Sequence, residues 1–272
     1  MSARILTLET QKIVASVEDG IGWILFNNPQ ARNAMSLEMW RGLGDATMAF
    51  QADPEVRAVV MHGAGGKSFA AGADITEFNE QRANAEQKKT YAEIASRAHI
   101  GMMQLTKPLI AMIDGFCIGG GLAIALGADI RIASIGSQFG IPAAKLGLGY
   151  EYDGVSALAR LVGPSVAKDM LFSARFLDTE EALRVGLINT AVAPAELSAH
   201  VRQYVERIRN NAPLTVLAAK AAVRLFERYS IATDDQAAAR VDAMVNQCFE
   251  SNDYKEGRTA FLEKRTPRFV GR

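Results

Sequence analysis

The stretch "GFCIGGGLAIALGADIRIAS", Gly115 to Ser134, sets three consecutive glycines between a short apolar run and a helix-forming segment, Leu122 to Leu126. Glycine costs free energy inside regular structure, so Gly119, Gly120 and Gly121 need a reason. One reason is close approach, in which a backbone N–H must come very near another group. The segment carries no acid or base to use such a donor, because Leu122, Ala123 and Ile124 follow the glycines.

The same grammar of apolar strand, glycine-rich bend and helix recurs on either side. "VRAVVMHGAGGKSFAAGADI" precedes it, and "DIRIASIGSQFGIPAAKLGLG" follows with its bend modified. Short, β-rich strands buried on both faces predict helix-covered sheets in an α/β arrangement. Upstream, "KIVASVEDGIGWILFN" alternates around Asp19-Gly20 and predicts a hairpin. "SLEMWRGLGDATMAFQADP" predicts a helix capped by Ser36 and stopped before Pro54. Beyond Gly163, short helices are expected, with Gly186 ending one of them. From Pro194 three amphipathic helices follow, broken at Pro213, near Thr233-Asp234 and at Asn252-Asp253. This divides the chain into an α/β core, residues 1–190, and a C-terminal helical region, residues 191–272.

Composition narrows the function classes. Thirty basic residues balance thirty acidic ones in 272 residues, so no global field draws nucleic acid or an anionic membrane. Cys117 and Cys248 lie far apart without metal-ligand spacing, and read as free buried thiols. No metal site is expected. The N-terminal stretch lacks a signal-peptide apolar core and is too acidic for a transit peptide, and no stretch reaches transmembrane length. A cytoplasmic location is the expectation.

Familiar motifs fail one by one. Gly66-Lys67-Ser68 ends like a phosphate loop, but the glycine that loop needs five residues before Gly66 is Met61. No G-x-G-x-x-G, G-x-S-x-G or H-E-x-x-H is present, and His62, His99 and His200 read as core or surface residues. What remains is two glycine-rich bends, "AAGAD" at Ala70 to Asp74 and "GGG" at Gly119 to Gly121. Each would project backbone N–H groups at the end of its strand, and the second opens a helix whose dipole favours negative charge. Two such donors converging on a carbonyl oxygen make an oxyanion hole. Glycine pairs are, however, most often plain tight turns.

With their surroundings the bends carry a resemblance. "FAAGADI", "GFCIGGGLAIALGADIRIAS", "FGIPAAKLGLG", "DTEEALRVGLIN" and "FLEKRTPRF" resemble the enoyl-CoA hydratase/isomerase, or crotonase, superfamily, in order from about Lys12 to Arg268. The resemblance implies a spiral of ββα units with a C-terminal helical trimerisation region, and a homotrimer or dimer of trimers. It implies acyl-CoA thioester substrates, with coenzyme A as part of the substrate and no separate cofactor. The thioester oxygen would be held by the N–H groups of Ala73 and Gly120. Coenzyme A would lie beside Arg32 and Ala34 in "NPQARNAMS" and beside Ala71, Asp74 and Ile75, with Phe261 and Lys264 reaching it from a neighbouring subunit. Lys264 and Arg265 equally read as a solvated basic helix end.

The chain departs from the hydratases of that superfamily, which hold one water between two glutamates. Their positions here are Ala123 and Ala143, and a methyl group neither orients water nor exchanges a proton. The next block, "LGLGYEYDG", Leu146 to Gly154, supplies other groups. Glu151 falls where the peroxisomal-type 3-enoyl to 2-enoyl-CoA isomerases carry their single catalytic glutamate. Tyr150 aligns with a tyrosine of the methylmalonyl-CoA decarboxylase branch, although that branch has a histidine at Ala73. Asp153 has no clear counterpart and would support Tyr150 or Tyr152 by hydrogen bonding. The order of expectation is isomerase, decarboxylase, atypical hydratase and, last, a non-catalytic scaffold.

Overall fold

A computed structural model describes residues 3–74, 85–150, 152–229 and 249–268, together with Ala243 and Asn246. Glu151, Ile75 and Cys248 lie outside the described residues, as do the two residues Thr233-Asp234 expected to break a helix.

The chain opens with β1 (Arg4–Ile5), β2 (Ile13–Glu18) and β3 (Ile21–Phe26). Strands β2 and β3 pair antiparallel from Ile13↔Phe26 to Glu18↔Ile21, with Asp19 (φ 51°) and Gly20 (φ 76°) as the two-residue turn. Positive φ at both central residues is the turn that matches strand twist, so the Asp-Gly signal folds as expected. Helix α1 (Leu37–Ala52) begins where Ser36 accepts from the Met39 N–H at 3.3 Å.

After α1 the chain builds three strand pairs: β4 (Ala58–Gly63) with β5 (Ser68–Ala70), β6 (Leu109–Ile113) with β7 (Phe116–Ile118), and β8 (Ile130–Ser134) with β9 (Gln138–Gly140). The first member of each pair joins a seven-stranded sheet and the second a three-stranded one. The orders are β1-β2-β3-β4-β6-β8-β10 and β5-β7-β9, with β10 at Thr190–Val192. All pairings after β3 are parallel. The chain therefore winds between two sheets, which is the α/β spiral of ββα units expected.

Helices α2 (Ala85–Gln104) and α3 (Gly120–Leu126) follow β5 and β7. The fusion of strand and bend in the sequence hid one fact: the glycine-rich bends follow the three-residue strands β5 and β7, which are neighbours, rather than the long ones. Next come α4 (Tyr152–Ser173), α5 (Thr179–Arg184), α6 (Leu197–Arg209), α7 (Pro213–Tyr229) and α8 (Asn252–Leu262). Helix α4 starts earlier than expected and runs through Gly163 (φ 78°) and Pro164, where its backbone kinks.

Leu197, Val201 and Val205 of α6 cover Ile21, Trp23, Ala58, Val60, Ile110 and Ile132 on one face of the large sheet. The other face shares one apolar core with α1, α3 and the small sheet, and the Cys117 thiol is buried in it. Among the described residues no helix is long and apolar enough to cross a membrane.

Helix α7 is pinned to the core by a buried cation. Lys220 Nζ donates to Asp129 Oδ2 and to the Lys107 carbonyl, both at 2.6 Å, with its side chain 8% exposed. Burial pushes the ammonium from 10.5 down to about 8, with Asp129 opposing the shift. Below pH 8 Lys220 is charged in both states and the fold carries the full cost of burying it. As pH rises through 8 the folded state releases a proton that the unfolded chain keeps until near 10.5. Stability should therefore rise across pH 8 to 10.5, by on the order of 3 kcal/mol. Urea unfolding of the protein and of Lys220→Met would show this as a pH-dependent difference. A constant difference would sink the assignment.

Candidate active site

Two backbone segments meet at the ends of β5 and β7. The first is built by the loop after β3. Asn33 is fully buried and adopts φ 57° beside Arg32 at φ 52°. Its Nδ2 donates to the Ala64 and Ser68 carbonyls at 2.9 and 2.8 Å, and its Oδ1 accepts from the Asn28 N–H at 3.0 Å. Asparagine tolerates the left-handed region and can satisfy three backbone groups at once, which knits this loop to the start of β5.

The loop then pairs with the first bend. Ala71 N–H donates to Arg32 O (3.1 Å), Met35 N–H to Gly72 O (2.8 Å) and Asp74 N–H to Met35 O (3.0 Å). This is a parallel bridge, Met35↔Ala73, in which Met35 bonds the residues flanking Ala73. Ala73's own N–H must then point away from Met35. The Met35 carbonyl also accepts from the Tyr91 hydroxyl at 3.4 Å, and that hydroxyl accepts from Trp40 Nε1 at 2.9 Å.

The second bend packs against the first, with Gly119 and Gly120 beside the Gly72–Ala73 peptide. Gly119 adopts φ 53°, ψ −119°, a conformation only glycine holds without strain, and its N–H donates to Gly140 O at 2.8 Å. Gly121 allows the closest approach: a Cβ there would lie 2.1 Å from the Ala70 carbonyl oxygen. Gly120 is different. A Cβ there would sit 3.5 Å from Ala73 N and 3.6 Å from the Gly72 carbonyl carbon, ordinary contacts over the face of that peptide. Among the described residues neither the Ala73 nor the Gly120 N–H has an acceptor. Two unpaired donors side by side at strand ends can hold one oxygen that gains negative charge.

Tyr150 closes one side. Its hydroxyl donates to the Gly119 carbonyl at 3.2 Å, and its half-buried ring packs on Gly154. Ala123 is half-buried and Ala143 is 8% exposed. Asp153 lies exposed in the first turn of α4, where its carbonyl accepts from Ser156 Oγ at 3.0 Å. The charge of Asp153 acts on His99, which packs edge-on to Trp40 at 5.3 Å. Burial holds the His99 imidazole below its usual range and Asp153 opposes the shift.

The remaining expected residues separate into two places. Ala71, Asp74 and Ala34 lie on the loop pairing that shapes the first bend, and the Arg32 guanidinium stands over the Phe116 ring at 5.5 Å. Phe261 and Lys264 lie on the far end of α8, with Phe261 54% exposed. Lys264 takes φ 55° as the left-handed residue that ends α8, with Arg265 N–H donating to Ala260 O at 3.0 Å. Among the described residues no hydrogen bond, ion pair or ring contact joins Phe261 or Lys264 to the bends. A cleft of about 250 Å³ between α1 and α2, lined by Trp40, Arg41, Asp45, Ile94 and Arg97 among others, contains none of these residues. Among the described residues no group of three His, Cys, Asp or Glu could hold a metal ion.

Sequence reading passed over three residues that shape the site. Asn33 and Tyr91 act on the first bend, and Arg131 acts on the helix behind the second. Arg131 is 3% exposed and donates to Ala128 O at 2.7 Å and Leu187 O at 2.8 Å, closing the C-terminal end of α3. Asn33 alone left a signal, a left-handed-tolerant residue just after the Pro29 turn.

The enoyl-CoA hydratase/isomerase family model matches residues 16–272. The short-chain-enoyl-CoA hydratase of Clostridium acetobutylicum is 35% identical over 258 residues, spanning 95% of this chain and 97% of that protein. The crotonyl-CoA hydratase of Syntrophomonas wolfei is also 35% identical, over 96% of this chain and 99% of its own length. Among solved structures, a methylmalonyl-CoA decarboxylase in complex with 2-nitronate-propionyl-CoA superposes with a TM-score of 0.86 at 29% identity, over 96% of this chain and 99% of that one.

Proposed function

The chain belongs to the enoyl-CoA hydratase/isomerase family, and on that premise we propose that it stabilises thioester enolates between the N–H groups of Ala73 and Gly120. The observation that carries this reading is the pair of donors with no acceptor among the described residues, on two bends so close that a Cβ on Gly120 would lie 3.5 Å from Ala73 N. An enolate places a full negative charge on the oxygen, where a ground-state thioester places only a partial one. Donors aimed there lower the barrier to any reaction that forms it.

The preferred reaction is conversion of a 3-enoyl to a 2-enoyl thioester with one carboxylate. Glu151, next in the chain to Tyr150, is the proposed base. It takes a proton from the alpha carbon, the two N–H groups hold the dienolate oxygen, and the acid returns the proton at the gamma carbon. Hydration, which the relatives' names suggest, needs a water to be oriented and split. Ala123 and Ala143 stand at the positions that the family resemblance gives to the hydratase glutamates, and methyl groups do neither. A second reading rests on the Tyr150 hydroxyl beside Gly119 and on the decarboxylase likeness. Loss of carbon dioxide from a 2-carboxyacyl thioester yields the same enolate without a base.

Coenzyme A is proposed to lie along Arg32, Ala34, Ala71, Asp74 and Ile75, with Phe261 and Lys264 contributed by a neighbouring subunit of a homotrimer or dimer of trimers. The exposed ring of Phe261 and the exposed Leu262 and Leu214 favour such a partner. The 191–272 region would then be the assembling part.

Separate assays with 3-hexenoyl-CoA, 2-hexenoyl-CoA and methylmalonyl-CoA test the ranking. Conjugated product from the first, lost in Glu151→Gln, is the expected result. Fast hydration of the second would overturn the one-carboxylate reading. Decarboxylation that survives Glu151→Gln would move the chemistry to Tyr150 and the two N–H donors.

A further inference from the structure

We infer that Tyr150 is a positioning residue for the Gly120 donor, holding and polarising the Gly119–Gly120 peptide from its carbonyl side. The inference rests on reading Ala73 and Gly120 as the donors to a thioester oxygen. The Gly119 carbonyl and the Gly120 N–H belong to one planar, trans peptide and point in opposite directions. Whatever is fixed at the oxygen therefore fixes the aim of the N–H.

The chain alone does not fix that plane, because glycines stand on both sides of it and Gly119 adopts φ 53°, ψ −119°. Two donors do. Ala123 N–H reaches Gly119 O at 3.0 Å as the first hydrogen bond of α3, and the Tyr150 hydroxyl reaches the same oxygen at 3.2 Å. Both lone pairs of the carbonyl are then used. Each hydrogen bond at the oxygen draws electron density through the amide and makes the N–H a stronger donor. As charge grows on a thioester oxygen beyond Gly120, the peptide polarises further and the tyrosine bond, long at 3.2 Å, has room to contract. Tyr150 thus contributes more to the enolate than to the bound substrate.

The ring is held in place for this task. A Cβ on Gly154 would lie 2.7 Å from Tyr150 Cε1, so the tyrosine occupies space that only glycine leaves open. Two substitutions follow. Tyr150→Phe keeps the ring and removes the hydroxyl. Gly154→Ala keeps the hydroxyl and displaces the ring.

The probe is 4-(dimethylamino)cinnamoyl-CoA, whose long-wavelength absorbance band moves to the red when its carbonyl is polarised. The wild-type protein should shift the band on binding. Tyr150→Phe and Gly154→Ala should each reduce that shift by about 10–30% while the dissociation constant stays within about threefold. On the substrate that the assays identify, kcat of Tyr150→Phe should fall about three- to tenfold with KM little changed. A full-sized shift in Tyr150→Phe would overturn the role of Tyr150 and leave the two donors standing. Lost affinity with an undiminished shift in the bound fraction would make Tyr150 a ligand contact and also overturn it. No shift in the wild-type protein would overturn the two-donor reading, and this inference with it.

Discussion

Replacing Gly121 with alanine should lower kcat at least a hundredfold and destabilise the fold in the same step. The added methyl would sit 2.1 Å from the Ala70 carbonyl oxygen, 2.7 Å from its carbon and 2.8 Å from Ala70 Cβ. None of these atoms is the far end of a flexible chain. Ala70 is held in β5 by its parallel pairing with Cys117 of β7, so the strand cannot yield alone. The start of α3 must back away by about an ångström, and the Gly120 N–H leaves with it. A displacement of that size at a reacting group costs on the order of a hundredfold in rate, and loss of one such donor costs about as much. Gly120→Ala is the control for the close approach. Its methyl would meet Ala73 N at 3.5 Å and Gly72 C at 3.6 Å, ordinary contacts that require no movement of bend or helix. The expected pair of results is a depressed melting temperature in Gly121→Ala and an unchanged one in Gly120→Ala. A Gly121→Ala variant with full activity would remove Gly120 from the proposed donors.

What the sequence made legible were features whose causes are local. Asp19-Gly20 dictates a turn because both residues tolerate positive φ, and Ser36 caps α1 because its hydroxyl sits three residues before an N–H without a helical partner. The two glycine bends were visible because glycine announces an unusual backbone. The division into two sheets was not. Strands β5, β7 and β9 have three residues each, too few to show an alternation, and they merged with the bends that follow them. The supports of the site were hidden for another reason. Asn33 reaches Ser68, Tyr91 reaches Met35, and Tyr150 reaches Gly119 across 35, 56 and 31 positions respectively. Such contacts follow from how the spiral closes, and no spacing along the chain encodes them. Tyr150 drew notice as a chemical group, whereas its partner, a backbone carbonyl, has no signature in any sequence.

Arg131→Met should cost about 2–4 kcal/mol of stability and reduce activity well below the new unfolding temperature. The guanidinium is buried, and among the described residues no carboxylate hydrogen-bonds to it. It is held by the Ala128 and Leu187 carbonyls and more loosely by Ala125 O at 3.4 Å. Burial pushes its pKa down, with the charge of Asp129 opposing. Buried ion pairs can often be exchanged for apolar groups with little loss, because both charged partners leave together. That exchange is closed here, since the partners are backbone carbonyls that no substitution removes. Methionine would fill the space and leave at least two acceptors buried and unpaired, at about 1–3 kcal/mol each, offset in part by no longer burying a cation. Lysine has a single point of charge and cannot span both carbonyls, so Arg131→Lys should fall between. The cost would not stay local. Those carbonyls tie the end of α3 to the segment before β10, and the other end of α3 is Gly120. A loosened α3 lets the Gly120 N–H wander from Ala73, so kcat should fall at temperatures where circular dichroism still reports a folded chain. Urea unfolding together with kcat at 15 °C would test both halves. A variant that lost stability but kept full activity would show that β7 and Gly121 alone hold the donor in place.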